Sequence, residues 1–121
     1  MTRRRAVLGA ALVAAAAAGG PAGAQSFSRI GDAERFAAIV VGRDLVSADG
    51  SERFRARADG GLVAVIGGAR YAGSWDWFED RMCRVLRRGD ARAARCARAA
   101  IGRGRLRLYW NEGGATEYLL R

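Results

Sequence analysis

The sequence predicts a mainly β domain of the α+β class. One N-terminal helix packs on a small antiparallel meander, a sheet or half-barrel of about six strands. Three observations predict it. A helical spacing of apolar residues occurs near the start, where Phe36, Ile39 and Val40 fall at i, i+3 and i+4. Beyond Gly42 the period changes to two, as where Leu106, Leu108 and Trp110 alternate with Arg105, Arg107 and Tyr109. Glycine pairs at 60–61, 67–68 and 113–114 then divide the alternating runs into hairpins.

Each element has its own signal. Residues 25–30 read as a short extended lead-in. Asp32 can cap the free amide groups of a helix over roughly 32–41, and Gly42 can end it. Phe54 between Arg53 and Arg55 opens the strand region, and Asp59-Gly60-Gly61 makes a turn. Leu62 to Ile66 is an apolar run rich in valine and isoleucine. Tyr71, Gly73, Trp75 and Trp77 share one face of the next strand, with Ala72, Ser74, Asp76 and Phe78 on the other. A polar Glu79-Asp80 turn leads to a strand over Met82–Leu86. Residues 91–101 read both ways. Their alanines and arginines are strong helix formers, yet as a strand Ala97, Ala99 and Ile101 would face in and Arg98 out. The segment 111–114 is a hairpin loop, and Thr116–Leu120 closes the sheet.

The first 24 residues have the three-part layout of a secretory signal peptide. Arg3-Arg4-Arg5 supply positive charge, Ala6 to Ala18 are uncharged, and Ala22-Gly23-Ala24 is a small-x-small cleavage site that would leave Gln25 first. The apolar run is short of the roughly 20 residues a spanning helix needs. The start resembles a twin-arginine signal, and a general secretory signal fits as well. The expectation is a periplasmic protein cleaved after Ala24, with 25–121 as a single small domain and no transmembrane segment in the mature protein.

Charge and cysteine content narrow the chemistry. The chain carries +9, with no lysine and no histidine. Without Arg3, Arg4 and Arg5 the charge falls to +6. Residues 81–107 hold ten arginines against one acid, Asp90. Such asymmetry points to an anionic partner or to a solvated face. Read as strands, the segment offers Arg84, Arg95, Arg98, Arg105 and Arg107 as a shared anion-binding surface, with Arg87 and Arg88 in a loop. Cys83 and Cys96 are an even pair in an exported chain, which reads as a disulfide. Twelve intervening residues and the lack of histidine argue against a metal or redox pair.

The run Gly73-Ser74-Trp75-Asp76-Trp77, the acidic turn, Cys83-Arg84 and then Cys96 resemble a family of short exported proteins of Gram-negative bacteria. Phe36, Gly42-Arg43-Asp44-Leu45 and Asp59-Gly60 fit the same pattern, which spans most of residues 27–121. Where the pattern has a glycine-bearing turn, this chain has Glu79-Asp80-Arg81. The resemblance implies a strand over 91–101. Some members of the family bear the name dihydrodipicolinate reductase. The residues here do not support that activity: there is no G-x-G-x-x-G loop for a nicotinamide cofactor and no lysine or histidine to serve as acid or substrate clamp.

The missing residue types exclude more. Serine–histidine, cysteine–histidine, serine–lysine and Schiff-base mechanisms each lose a member. A transition-metal site would lack imidazole ligands. Asp76, Glu79 and Asp80 form a dense acidic cluster, which reads as a polar hairpin turn rather than a carboxylate pair for glycoside hydrolysis. Trp75 and Trp77 are either core or a stacking platform. The expected function is therefore non-enzymatic, with no cofactor and no metal. The chain reads as a periplasmic binding or envelope-accessory protein whose arginines meet an anionic envelope component or an acidic protein. Nucleic acid is not among the expected partners. The alternative is an inhibitor of a periplasmic or foreign hydrolase such as lysozyme.

Overall fold

The computed structural model describes residues 26–121; the expected signal segment 1–24 and its cleavage site lie outside them. The chain runs β1 (Ser28–Ile30), α1 (Ala33–Val40), β2 (Leu45–Ser47), β3 (Glu52–Ala56), β4 (Gly61–Ile66), β5 (Ala69–Phe78), β6 (Arg81–Arg88), β7 (Ala91–Gly102), β8 (Arg105–Trp110) and β9 (Ala115–Leu120). All the strand pairings are antiparallel.

The mainly β class and the single helix hold, but the sheet is larger than the sequence suggested. In place of about six strands, β2 to β9 form a closed eight-stranded barrel. Three pairings close it: β9 bonds both β2 and β8, and β8 bonds β7. Closure removes the two free edges a flat meander would leave. The added strands β1 and β2 are three residues each. The ambiguous segment 91–101 is strand throughout: β7 runs twelve residues, from Ala91 to Gly102.

Strand β7 carries three neighbours because it is long. Its first part, Ala91–Ala97, pairs with β6, and Ala97–Gly102 pairs with β8. β1 pairs with Ala99–Ile101, on the edge that β6 leaves vacant. So β1 lies end to end with β6 along one edge of β7. The β6–β7 hairpin also projects beyond the β8–β9 turn, because residues 91–95 have no β8 partner.

Alternation fills the barrel from inside. Leu45, Phe54, Leu62, Met82, Leu106, Leu108 and Tyr118 are all buried, with Ala97 and Ala99 as small spacers. Eight strands leave an interior just wide enough for such side chains. Asp32 caps α1, its carboxylate accepting from the Arg35 amide at 2.8 Å. The helix turns Phe36 and Val40 inward. Phe36 meets Trp75 and Trp77 at ring distances of 5.5 and 5.1 Å, so α1 plugs one end of the barrel. Glycine is required at position 73. A β-carbon there would come within 1.7 Å of the Val85 carbonyl oxygen, so β5 and β6 can close together only around a bare backbone.

Candidate functional site

Cys83 and Cys96 are directly opposed in the β6–β7 ladder and form a disulfide. Since Met82, Arg84 and Leu86 point into the barrel, the cystine lies on the outer wall. It pins the base of the projecting hairpin.

The five arginines expected to share a surface do not do so. Arg84 faces inward between Met82 and Leu86 and is 2% exposed. Its guanidinium lies 4.8 Å from the Trp110 ring centroid and 5.2 Å from that of Phe54. Arg84 Nη1 donates to Glu52 Oε2 at 2.6 Å, and the Tyr118 hydroxyl donates to the same oxygen at 2.8 Å. Burial first, then the Glu52 charge, push the Tyr118 hydroxyl well above its ordinary pKa, so it stays a proton donor. Arg95, also inward in parity, lies at the barrel mouth with its guanidinium 4.0 Å over the Trp110 ring, paired with Glu112. Arg84 thus belongs to an internal polar cluster with Glu52 and Tyr118, while the Arg95–Glu112 pair is partly exposed at the barrel mouth.

The other three lie on the outer wall of β7 and β8. Arg105 and Arg107 both bind Glu117, at 2.6 and 2.7 Å. Arg107 chiefly, with Arg105 beside it, holds the Glu117 carboxyl below its ordinary range. Arg98 is exposed and, among the described residues, has no carboxylate within ion-pair distance. Four of the five are therefore ion-paired, and they share three carboxylates.

Uncompensated positive charge concentrates elsewhere. Arg87 and Arg88, both expected in a loop, are the last two residues of β6, and Arg87 lies directly opposite Arg92 of β7. Ala72 of β5 lies on the other side of Arg87. Arg88 is paired with Ala91 next to the hairpin turn, and Arg70 and Arg53 project outward from β5 and β3 on either side of Val65. All five guanidinium-bearing residues are exposed, and none has an ion pair among the described residues. The apolar outward residues between these strands are Val63, 39% exposed, and half-buried Val65. The parity rule could have separated these sets in the sequence, since Arg95 and Arg98 are three residues apart and must face opposite ways in a strand.

Trp75 and Trp77 are half-buried and face inward on β5. The Trp75 indole donates to the Arg57 carbonyl at 2.8 Å. With Phe36 against both rings, they serve as core. Asp76 points outward on β5, and Glu79 and Asp80 make the β5–β6 turn with φ of 48° and 65°. Asp80 lies 3.6 Å from Arg29 of β1. Among the described residues, no group of three acidic, cysteine or histidine side chains is arranged to hold a metal ion, and no helix is long and apolar enough to cross a membrane.

No family model, curated protein or solved structure matches the chain.

Proposed function

We propose that the protein is an exported, non-enzymatic envelope-accessory protein that docks on an anionic surface through the β6–β7 hairpin and the adjoining wall. One observation carries the reading. Arg87 and Arg92 are directly opposed across the ladder, and among the described residues no acid is paired to either. Like charges in that position repel, and an anionic partner turns the repulsion into binding free energy. Arg88 and Arg70 extend the same field, and Val63 and Val65 give the wall an apolar strip between its charges. The absence of lysine and histidine favours binding over catalysis. The partner class is an anionic envelope component, either lipid headgroups or an acidic polysaccharide.

Co-sedimentation with phosphatidylglycerol vesicles, with phosphatidylcholine vesicles as the neutral arm, tests the reading. Dextran sulfate against dextran supplies the polysaccharide arm. Binding should appear on the anionic member of at least one pair and weaken with salt, since the Debye length shrinks to about 8 Å at physiological ionic strength. Arg87→Glu with Arg92→Glu should weaken it at least tenfold, whereas Arg43→Glu with Arg121→Glu, an equal change of charge elsewhere, should weaken it far less. Equal loss in both double variants would reduce the effect to net charge and overturn the proposal.

A further inference from the structure

The outer wall beside β1 carries a hollow of about 410 Å³ with a different chemistry. Phe27, Arg29, Arg98, Ala99, Ala100 and Tyr109 line it. The ladder explains the shape. Arg29 of β1 is opposite Ala100 of β7, which is opposite Arg107 of β8. Ala100 is therefore the outward residue at the centre, and its single methyl group makes the floor. Phe27 packs at one side over Gly102, where a β-carbon would come within 3.2 Å of the ring and 2.7 Å of the Ser26 carbonyl oxygen. The Arg107 guanidinium lies 4.0 Å over the Phe27 ring, donates through Nη2 to Glu117 at 2.7 Å and through Nη1 to the Tyr109 hydroxyl at 3.4 Å, so it ties the two rings together at the border of the hollow with its charge met by Glu117. Opposite, Tyr109 is 42% exposed beside its ladder partner Arg98.

Two aromatic rings over a small floor, flanked by two guanidinium groups with no acid among the lining residues, are suited to one kind of guest. We propose that this hollow binds a small organic anion, in which a carboxylate or phosphate group joined to a flat or short apolar body is recognised. The anionic group would lie between Arg98, which has no paired acid among the described residues, and Arg29, whose contact to Asp80 is long at 3.6 Å and more than half exposed. Such a loose surface pair is worth little and is readily exchanged for a ligand anion. The apolar body would lie on Ala100 between Phe27 and Tyr109. Guanidinium groups suit this role because their planar fork matches carboxylate and phosphate oxygens.

Chemical-shift titration of isotope-labelled protein with phenyl phosphate tests the site, with inorganic phosphate and benzyl alcohol as half-ligands. Phenyl phosphate should give saturable shifts centred on the Arg29, Arg98, Ala100 and Tyr109 amides. Each half-ligand should bind at least tenfold more weakly. Arg98→Gln removes the free cation, and Ala100→Leu fills the floor without changing charge; each should weaken phenyl phosphate at least tenfold. Arg87→Glu with Arg92→Glu should leave this binding unchanged, which separates it from docking through the hairpin. No saturable shift overturns the site. So does binding that inorganic phosphate reproduces and Ala100→Leu leaves intact, since that is ion pairing without a pocket.

Discussion

Arg84 is the residue whose sequence context and structural role diverge most. An arginine between two apolar positions of a strand is assigned to the surface by default, because arginine is almost never fully buried unless paired. Its alternation with Met82 and Leu86 pointed inward all the same. What the sequence could not supply is the partner: Glu52 lies 32 residues away and meets Arg84 only once the barrel closes. The arrangement is over-determined on one side. Glu52 accepts from both Arg84 and Tyr118, while Arg84 Nε has no partner. Removing the cation alone leaves Glu52, 12% exposed, facing the core with the Tyr118 hydroxyl as a donor and no countercharge. Arg84→Ala should therefore cost about 3–5 kcal/mol in urea unfolding. Arg84→Met combined with Glu52→Gln removes both charges and keeps most of the volume, and should recover a large part of that loss. A single variant within about 1 kcal/mol of the parent, the net worth of one ordinary hydrogen bond, would mean that the cluster does not hold the barrel mouth together.

The elements were legible in proportion to their length and punctuation. The helix, the central hairpins and the last two strands follow from period and glycine placement. β2 escaped notice because Leu45–Ser47 offers three residues, too few for alternation to show. The segment 91–101 stayed ambiguous because alanine fits a helix as well as the tight spacer positions of a small barrel; β6 on one side decides for strand by tertiary pairing. That pairing leaves one edge of residues 91–95 bare, and Arg92 and Arg95 there discourage pairing with another chain. The Glu79-Asp80 turn is a two-residue hairpin loop with both residues left-handed, a geometry that suits the twist of the flanking strands but is strained for side chains other than glycine. The cystine braces the next hairpin, β6–β7. It joins residues 13 apart, and a closed loop of that size stabilises by about 3 kcal/mol in the chain-entropy model. Cys83→Ser with Cys96→Ser should lower Tm by roughly 10–20 °C, at about 4–8 °C per kcal/mol for a domain of this size. Because the two cysteines are already ladder partners, the folded variant should keep its β6–β7 pairing. A Tm unchanged by reduction would show that the unfolded chain gains nothing from the broken link.

At the scale of the molecule, the sequence signalled sheet but not closure. Whether a meander curls into a barrel depends on which strands meet last, and the β2–β9 pairing that closes this one joins residues near 46 to residues near 119. No local pattern announces a contact of that separation. Closure in turn creates an open end that needs filling, and α1 supplies the plug. Phe36 is fully buried and touches both inward tryptophans of β5, so it links the helix to a strand far along the chain. Its removal should therefore be felt as loss of the whole fold's stability rather than as fraying of one helix. Phe36→Ala should cost about 3–5 kcal/mol, the range for deleting a buried aromatic side chain, in one cooperative transition. Tryptophan emission should shift to the red in the folded state as water reaches Trp75 and Trp77. Phe36→Leu, which refills most of the space, should cost clearly less and leave the emission near that of the parent. Phe78 provides the control: it is 59% exposed on the outer wall, so Phe78→Ala should stay within about 0.5 kcal/mol. If Phe36→Ala unfolded in two steps, with the barrel surviving the loss of the helix, α1 would be an appendage and the barrel would be held by its strands alone.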